Sequence, residues 1–194
     1  MKEKVENIDS PNLRYSKLSL PDKTIEIDMG CGKGSFTTLL AQRYPEREII
    51  AIDVMIGRLR KLKKKATNQG ITNLEVLRSE AGFFVQTALP PNSISRLHIL
   101  CPDPWPKTKH KGNRLISSEF VSRLSVILKP EGIFHFATDD LPYFESAKKV
   151  ISLSGLFSEA DNSLIDDISD LKSDFEKLWE SQGKTVNHIA WKLR

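Results

Sequence analysis

Apolar residues along this chain fall into short segments separated by polar ones, and the spacing within each segment predicts its structure. Thr24-Ile25-Glu26-Ile27-Asp28 reads as a short strand, and a glycine-bearing stretch separates it from an apolar helical run, Phe36 to Ala41. Glu48-Ile49-Ile50-Ala51-Ile52-Asp53 predicts a second, mostly apolar strand. From Ile56 to Asn68 the apolar residues recur at helical spacing (Ile56, Leu59, Leu62, Ala66), and Asn68 to Gly70 supplies the stop. Leu74-Glu75-Val76-Leu77 predicts a third strand, Ala81 to Ala88 a short helix, and Ser95 to Leu100 a fourth strand. That strand runs into Cys101-Pro102-Asp103-Pro104-Trp105-Pro106, where the prolines impose an extended, stiff loop. Ser117 to Leu128 is helical in pattern and ends at Lys129-Pro130-Glu131-Gly132. Ile133 to Thr138 predicts a fifth strand and Tyr143 to Leu153 a fifth helix. The tail offers Gly155-Leu156-Phe157 and a strand candidate, Val186 to Leu193, while Asp161 to Asp174 reads as a mobile loop or an added helix.

Strands that alternate with helices pair in parallel, and near-continuous apolar strands are buried on both faces. The expected architecture is therefore a doubly wound α/β fold. At 194 residues the chain has room for one full-sized domain, so residues 1–194 are expected to form a single unit, with 1–22 as a short N-terminal extension. No apolar run is long enough to span a bilayer, and MKEKVENIDSPN lacks the apolar stretch of a signal peptide. Two cysteines, Cys31 and Cys101, are too few for a disulfide framework. These features lead us to expect a cytoplasmic protein with free thiols and no membrane partner. The sequence leaves monomer and homodimer open.

The formal charge of +4 is mild but unevenly distributed. Arg43, Arg47, Arg58, Arg60, Lys61, Lys63, Lys64 and Lys65 form one basic cluster, and Lys107, Lys109, His110, Lys111 and Arg114 form a second. Glu159 to Glu176 is acidic. Such asymmetry suits a polyanion binder, although a basic run is also what the solvated face of a helix looks like.

Candidate chemistry begins at Asp28-Met29-Gly30-Cys31-Gly32-Lys33-Gly34, between the first strand and first helix. Glycines there allow a tight turn and close approach of a ligand to the backbone. A dinucleotide fingerprint, G-x-G-x-x-G, would place its third glycine at position 35, where Ser35 stands, which disfavours NAD. Asp53 and Glu80 follow at the ends of the second and third strands, and ligands of open α/β sheets bind at those carboxyl ends. A carboxylate at Asp53 suits a ribose diol because it accepts from both hydroxyls at once.

The G-x-G-x-G spacing with an acid two residues ahead resembles the first motif of class I methyltransferases, which bind S-adenosylmethionine. The loop Pro102-Asp103-Pro104-Trp105-Pro106-Lys107-Thr108-Lys109-His110 narrows the resemblance to the bacterial tRNA (guanine-N7-)-methyltransferase family, whose loop reads D-P-W-P-K-[KR]-R-H. Phe136-Ala137-Thr138-Asp139 is similar to that family's x-x-T-D strand end, and Ser173-Asp174-Phe175-Glu176 to its T-x-[FY]-E motif, with Gly183 and the final strand behind it. The resemblance implies a Rossmann-like fold with a mostly parallel seven-stranded sheet and an antiparallel C-terminal strand. It implies methylation of guanosine 46 in the tRNA variable loop, with tRNA as partner, S-adenosylmethionine as donor and no metal.

Residue by residue, it implies that Asp28, Gly30, Gly32, Gly34, Asp53, Glu80, Ala81 and Asp103 line the cofactor site. Asp103 would be the catalytic acid of the loop; Lys107, Asp139, Ser173, Asp174, Phe175 and Glu176 would contact substrate, the last four within an acidic substrate-side segment, 159–176. Lys109, His110, Lys111 and Arg114 would hold RNA phosphates. Trp105 would either stack on a base or clamp the proline loop. Departures are Thr108 in place of a basic residue, Ser173 in place of threonine, and aspartate at 28 and 53 in place of glutamate.

Two other readings remain at this level. Asp103-Pro104-Trp105 is similar to the acid-Pro-Pro-aromatic loop of amino-group methylases, but lacks its second proline. A non-catalytic RNA-binding module could retain the fold, though keeping Asp28, Asp53 and Asp103 argues against lost activity.

Overall fold

The strands and the first five α-helices form about where the apolar spacing predicts them. In the computed structural model, which describes residues 17–194 apart from the side chains of Thr108 and Lys111, β1 (Ile25–Met29) leads into α1 (Ser35–Arg43). Most of the 1–22 extension lies outside the described residues. β2 (Glu48–Asp53), α2 (Ile56–Asn68), β3 (Leu74–Arg78), α3 (Ala81–Thr87) and β4 (Ile94–Leu100) follow. A 3-10 helix at Thr108–Asn113 precedes α4 (Ser118–Ile127), β5 (Leu128–Thr138) and α5 (Leu141–Ser154). A second 3-10 helix, Asn162–Ile168, then α6 (Asp174–Ser181) and β6 (Asn187–Lys192) complete the order.

The sheet runs β3-β2-β1-β4-β5-β6, parallel except for β6, which lies antiparallel to β5. One face packs against α3, α4 and α5 through Ile27, Ile99, Phe134 and Phe136 on the sheet and Phe84, Leu124 and Tyr143 on the helices. The other is covered by α1 and the second 3-10 helix, with Phe36, Leu40, Ile165 and Ile168 buried against it. Leu59 and Leu62 of α2 bury against Ala51 and Val76.

Seven strands were expected; among the described residues the sheet has six. The segment after α5 joins the sheet at a single bridge, Phe157 to Leu193. Ser158 donates its N–H to the Lys192 carbonyl at 2.8 Å, but the Lys192 N–H returns to the Ser158 hydroxyl at 3.1 Å rather than to a backbone carbonyl. The ladder therefore stops. Lys129 to Gly132, where the helical pattern was expected to end, lies in the first part of β5, with Glu131 left-handed at φ 65° and a register shift opposite Ile94 and Arg96. A Cβ at Gly132 would lie 2.8 Å from the Lys129 carbonyl oxygen, so this irregular strand needs glycine there.

The acidic stretch is an added 3-10 helix held by ion pairs. Asp167 accepts from Arg96 at 3.0 Å and from the Tyr44 hydroxyl at 2.6 Å, and Arg43 grips both oxygens of Asp170 at 2.6 Å. Arg47 is likewise taken by Glu26. Among the described residues no helix is long and apolar enough to cross a membrane.

Candidate active site

β1 sits between β2 and β4, so the strand order reverses there and opens a crevice at the carboxyl ends of the strands. Gly30, Gly32 and Gly34 of the loop above it have φ of 81°, 57° and 77°, a region that a side chain strongly disfavours. Gly34 has a second constraint, because a Cβ there would lie 2.3 Å from Leu62 Cδ1 of α2. The backbone N–H of Gly32 donates to Asp53 Oδ2 at 3.0 Å and that of Met55 to Oδ1 at 2.7 Å. The buried Asp53 carboxylate is thus fixed between two loops, each oxygen retaining acceptor capacity.

Asp28, at the end of β1, is buried and accepts the Thr37 hydroxyl. Burial raises its pKa to about 7, with the negative charges of Asp53 and Asp174 adding to the effect against the Thr37 bond. Glu80 caps α3: its two carboxylate oxygens accept from Gly82 N–H at 2.8 Å and Phe83 N–H at 2.7 Å. It therefore orders the third strand's exit as well as lining the site, and Ala81 follows it in the wall.

The proline loop leaves β4 through Cys101 and passes Trp105, both left-handed at φ 51° and 44°. Such conformations in non-glycine residues store strain that surrounding contacts must hold. Arg114 supplies them: its guanidinium donates to the Pro104 carbonyl at 2.9 Å and the Pro142 carbonyl at 3.3 Å, lies 3.5 Å from Asp140 and sits over the Tyr143 ring. Arg114, expected at an RNA phosphate, turns its guanidinium inward onto these contacts. Its side chain is buried as a clamp between the loop and α5. His110 sets its ring edge-on against Trp105, with centroids 5.9 Å apart, so it supports that aromatic. Lys107 and Lys109 are exposed; the Lys111 side chain lies outside the described residues. Asp103 is exposed, and no described group occupies its carboxylate.

Ser173 to Glu176 forms a capping box at the start of α6, a helix that the sequence reading did not assign. The S-x-x-E spacing was the available signal. Asp174 accepts from the Ser35 N–H at 3.2 Å and the Ser35 hydroxyl at 2.8 Å, capping α1, whose own N-cap Gly34 has no side chain to do so. Glu176 is buried, accepting from Ser173 N–H at 3.2 Å and facing His188 at 3.0 Å. Asp174 and Glu176, expected at the substrate, make these internal contacts, and of the four residues Phe175 borders the crevice. Lys184, beyond α6, pairs with Asp139 at 3.0 Å, fastening the far end of α6 to the end of β5.

The crevice encloses about 440 Å³, within the range of small-molecule sites. Its wall joins Gly30, Asp53, Glu80 and Ala81 on one side to Asp103, Trp105 and Phe175 on the other. Met29, Ile52, Ile99 and Leu115 give it an apolar floor, and Met55 and Arg58 are wall residues that sequence reasoning missed. An acid for a diol, apolar surface for a purine and several carboxylates for a cationic centre fit the adenosine-bearing sulfonium cofactor expected above. A second hollow of about 390 Å³ between α3 and α4 shares Glu80, Asn113 and Leu115 with it. Among the described residues no group of three or more His, Cys, Asp or Glu is placed to hold a metal ion.

Residues 22–189 match the model of a family described as putative methyltransferases. A tRNA (guanine-N(7)-)-methyltransferase of Thermotoga maritima is 30% identical over 197 residues, covering 98% of this chain and 61% of that one. Proteins of the same name from Polaromonas naphthalenivorans and Nitrosococcus oceani are 32% and 33% identical, covering 85% and 87% of this chain and 68% and 69% of theirs. The chain spans 61% and 55% of the length of two of the relatives most similar to it. The 16S rRNA methyltransferase KamB superposes with a TM-score of 0.65 at 17% identity, over 88% of this chain and 87% of that one. A SAM-dependent methyltransferase from Aquifex aeolicus does so at 0.60 and 15%, over 91% and 85%. At such identities these two establish likeness of fold.

Proposed function

Because the chain belongs to the tRNA (guanine-N7-)-methyltransferase family, we propose that it transfers a methyl group from S-adenosylmethionine to N7 of guanosine 46 in the tRNA variable loop. One observation carries this reading: a single crevice brings the glycine loop, Asp53 and Glu80 opposite the unengaged carboxylate of Asp103. Residues 1–194 would act as one catalytic domain, in the cytoplasm where tRNA resides.

S-adenosylmethionine, when bound, supplies a methyl group made electrophilic by its sulfonium. Asp53 would accept from the ribose hydroxyls through the lone pairs that Gly32 and Met55 leave free. Ala81 and the apolar floor would face the adenine. Guanine N7 carries a lone pair and no proton, so the chain needs no general base. Its task is positioning, which supplies much of the barrier reduction in a displacement of this kind. Positive charge moves onto the purine as the bond forms, and the Asp103 carboxylate would oppose it. Trp105 and Phe175, both partly exposed in the crevice wall, offer stacking surfaces for an unstacked base. Lys107 and Lys109, exposed in the loop that carries Trp105, would hold phosphates.

Methyl transfer from labelled S-adenosylmethionine to unmodified tRNA, mapped by borohydride and aniline cleavage, tests the proposal. Cleavage in the variable loop is the expected result. Transfer without cleavage would move the acceptor away from guanine N7, and no transfer despite cofactor binding would indicate another substrate or a non-catalytic module. Asp103→Ala is expected to abolish transfer while S-adenosylhomocysteine still raises Tm; near-normal turnover would remove Asp103 from the chemistry.

A further inference from the structure

Across the sheet face beneath α1 and the second 3-10 helix runs a line of polar side chains that the proposed chemistry does not use. Glu26 of β1, His98 of β4, His135 of β5 and His188 of β6 contact one another in turn, and Glu176 of α6 ends the line. Glu26 Oε2 lies 3.1 Å from His98 Nε2, and His98 Nδ1 3.0 Å from His135 Nδ1. His135 Nε2 lies 3.0 Å from His188 Nδ1, and His188 Nε2 3.0 Å from Glu176 Oε1. Glu26, His98, His135 and Glu176 are all buried.

Four contacts at hydrogen-bond distance need four hydrogens. An ionised carboxylate brings none and a neutral imidazole brings one, so three neutral histidines between two carboxylates leave one contact empty. Burial opposes charge on Glu26, yet His98, Arg96 and Arg47 hold its pKa below the ordinary value, so it is an acceptor. Burial drives His98 and His135 toward the neutral form, the latter strongly. His98 then donates from Nε2 to Glu26, His135 from Nδ1 to His98, and His188 from Nδ1 to His135. The empty contact is the last one, between His188 and Glu176.

We propose that His188 carries the fourth proton and thereby acts as a positioning residue for the Phe175 wall of the crevice, a role that rests on the substrate-side reading of α6 given above. With the proton present, Glu176 accepts from both His188 and the Ser173 N–H, and the capping box is closed. Asp174 then stands on Ser35 and Phe175 on the crevice. Without it, lone pairs of His188 Nε2 and Glu176 Oε1 oppose each other, and the first turn of α6 loses its anchor. The groups facing His188 are His135 from β5, Glu176 from α6, and Asp166 with Asn162 from the second 3-10 helix, around a hollow of about 200 Å³. Its side chain is 27% exposed, which gives the proton a route to solvent.

Nitrogen-15 NMR of the histidine ring nitrogens in the full chain, wild type beside Glu176→Gln, tests this. At pH 7 the wild type is expected to show His188 with both ring nitrogens protonated and His98 and His135 with one each. Glutamine at 176 would accept from Ser173 through its oxygen and donate to a neutral His188 through its amide, so E176Q is expected to show one proton on every ring. At one fixed pH the KM for tRNA should stay near the wild-type value in E176Q, whose amide fills the same contact, and rise several-fold in Glu176→Leu, which leaves it empty; an unchanged KM in Glu176→Leu would overturn the positioning role. A singly protonated His188 in the wild type, or a doubly protonated one unchanged in E176Q, overturns the proposal. The wild-type spectrum decides even where the variant fails to fold. The spectra need no methyl transfer: the expected proton count without guanine N7 methylation keeps this proposal and removes the function, and methylation with a neutral His188 does the reverse.

Discussion

Asp28 is a carboxyl group that folding removes from water. Its pKa is raised to about 7 in the native chain, against an ordinary value of 3.8, so the folded state holds a proton that the unfolded state has released. The stability associated with this group is therefore fully present below pH 4 and is lost as pH rises through 7. Asp28→Asn keeps an acceptor for the Thr37 hydroxyl and removes the charge. Without ligand, its Tm is expected to exceed that of the wild type at pH 8 and to equal it at pH 4. One pKa unit is worth about 1.4 kcal/mol and a kcal/mol moves Tm by about 2–4 °C at this size, so a gain of several degrees is expected. An equal gain at both pH values would show that the buried charge is not its cause. Sequence position led to Asp53, Glu80 and Asp103, which border one crevice because strand ends of an α/β sheet converge, whereas Asp28 lies beneath it, buried on Thr37. What it left out was what each carboxylate already holds. Glu176 and Asp174 were legible as a motif, yet their bonds to His188 and Ser35 come from residues that no local pattern connects.

At the scale of elements, Gly30 and Gly34 separate backbone conformation from packing. Both are left-handed, but only Gly34 abuts another element, the Leu62 side chain of α2. Gly30→Ala is expected to cost about 1–2 kcal/mol for the left-handed conformation alone. Gly34→Ala adds the displacement of Leu62, about 1–3 kcal/mol more by analogy with overpacked cores. Urea midpoints at constant m-value measure both, and equal losses would show that Leu62 yields freely. The strands and α1 to α5 were legible because their apolar spacing is dictated by the two faces they bury. α6 was not, since it is short, mostly polar, and owes its place to the capping box and Lys184 rather than to an apolar stripe. The seventh strand was lost for a comparable reason: a serine hydroxyl, invisible to periodicity, takes the N–H that would continue the ladder.

Over the whole molecule, the acidic segment neutralises Arg43 and Arg96, while Arg60, Lys61 and Lys64 of α2 and Lys107 and Lys109 of the proline loop stay exposed, so a tRNA partner would meet those. Lys107→Ala is expected to weaken tRNA binding, to make the log-affinity slope against log salt shallower by about 1, and to leave Tm unchanged. Arg114→Ala should do the opposite, lowering Tm through the freed proline loop while the slope stays as it was; a slope change there would return Arg114 to the phosphate contacts. The two basic residues look alike in sequence and differ only in burial. The bond from Ser35 to Asp174 closes a span of 139 residues. Because closure entropy grows only logarithmically with span, so distant a tie is no great burden at equilibrium. In time it is different: a contact of such range is reached only after its closure entropy has been met, and contacts of this kind slow folding. The corner the ligand would recognise is thus built from the two stretches of chain that have farthest to travel to meet.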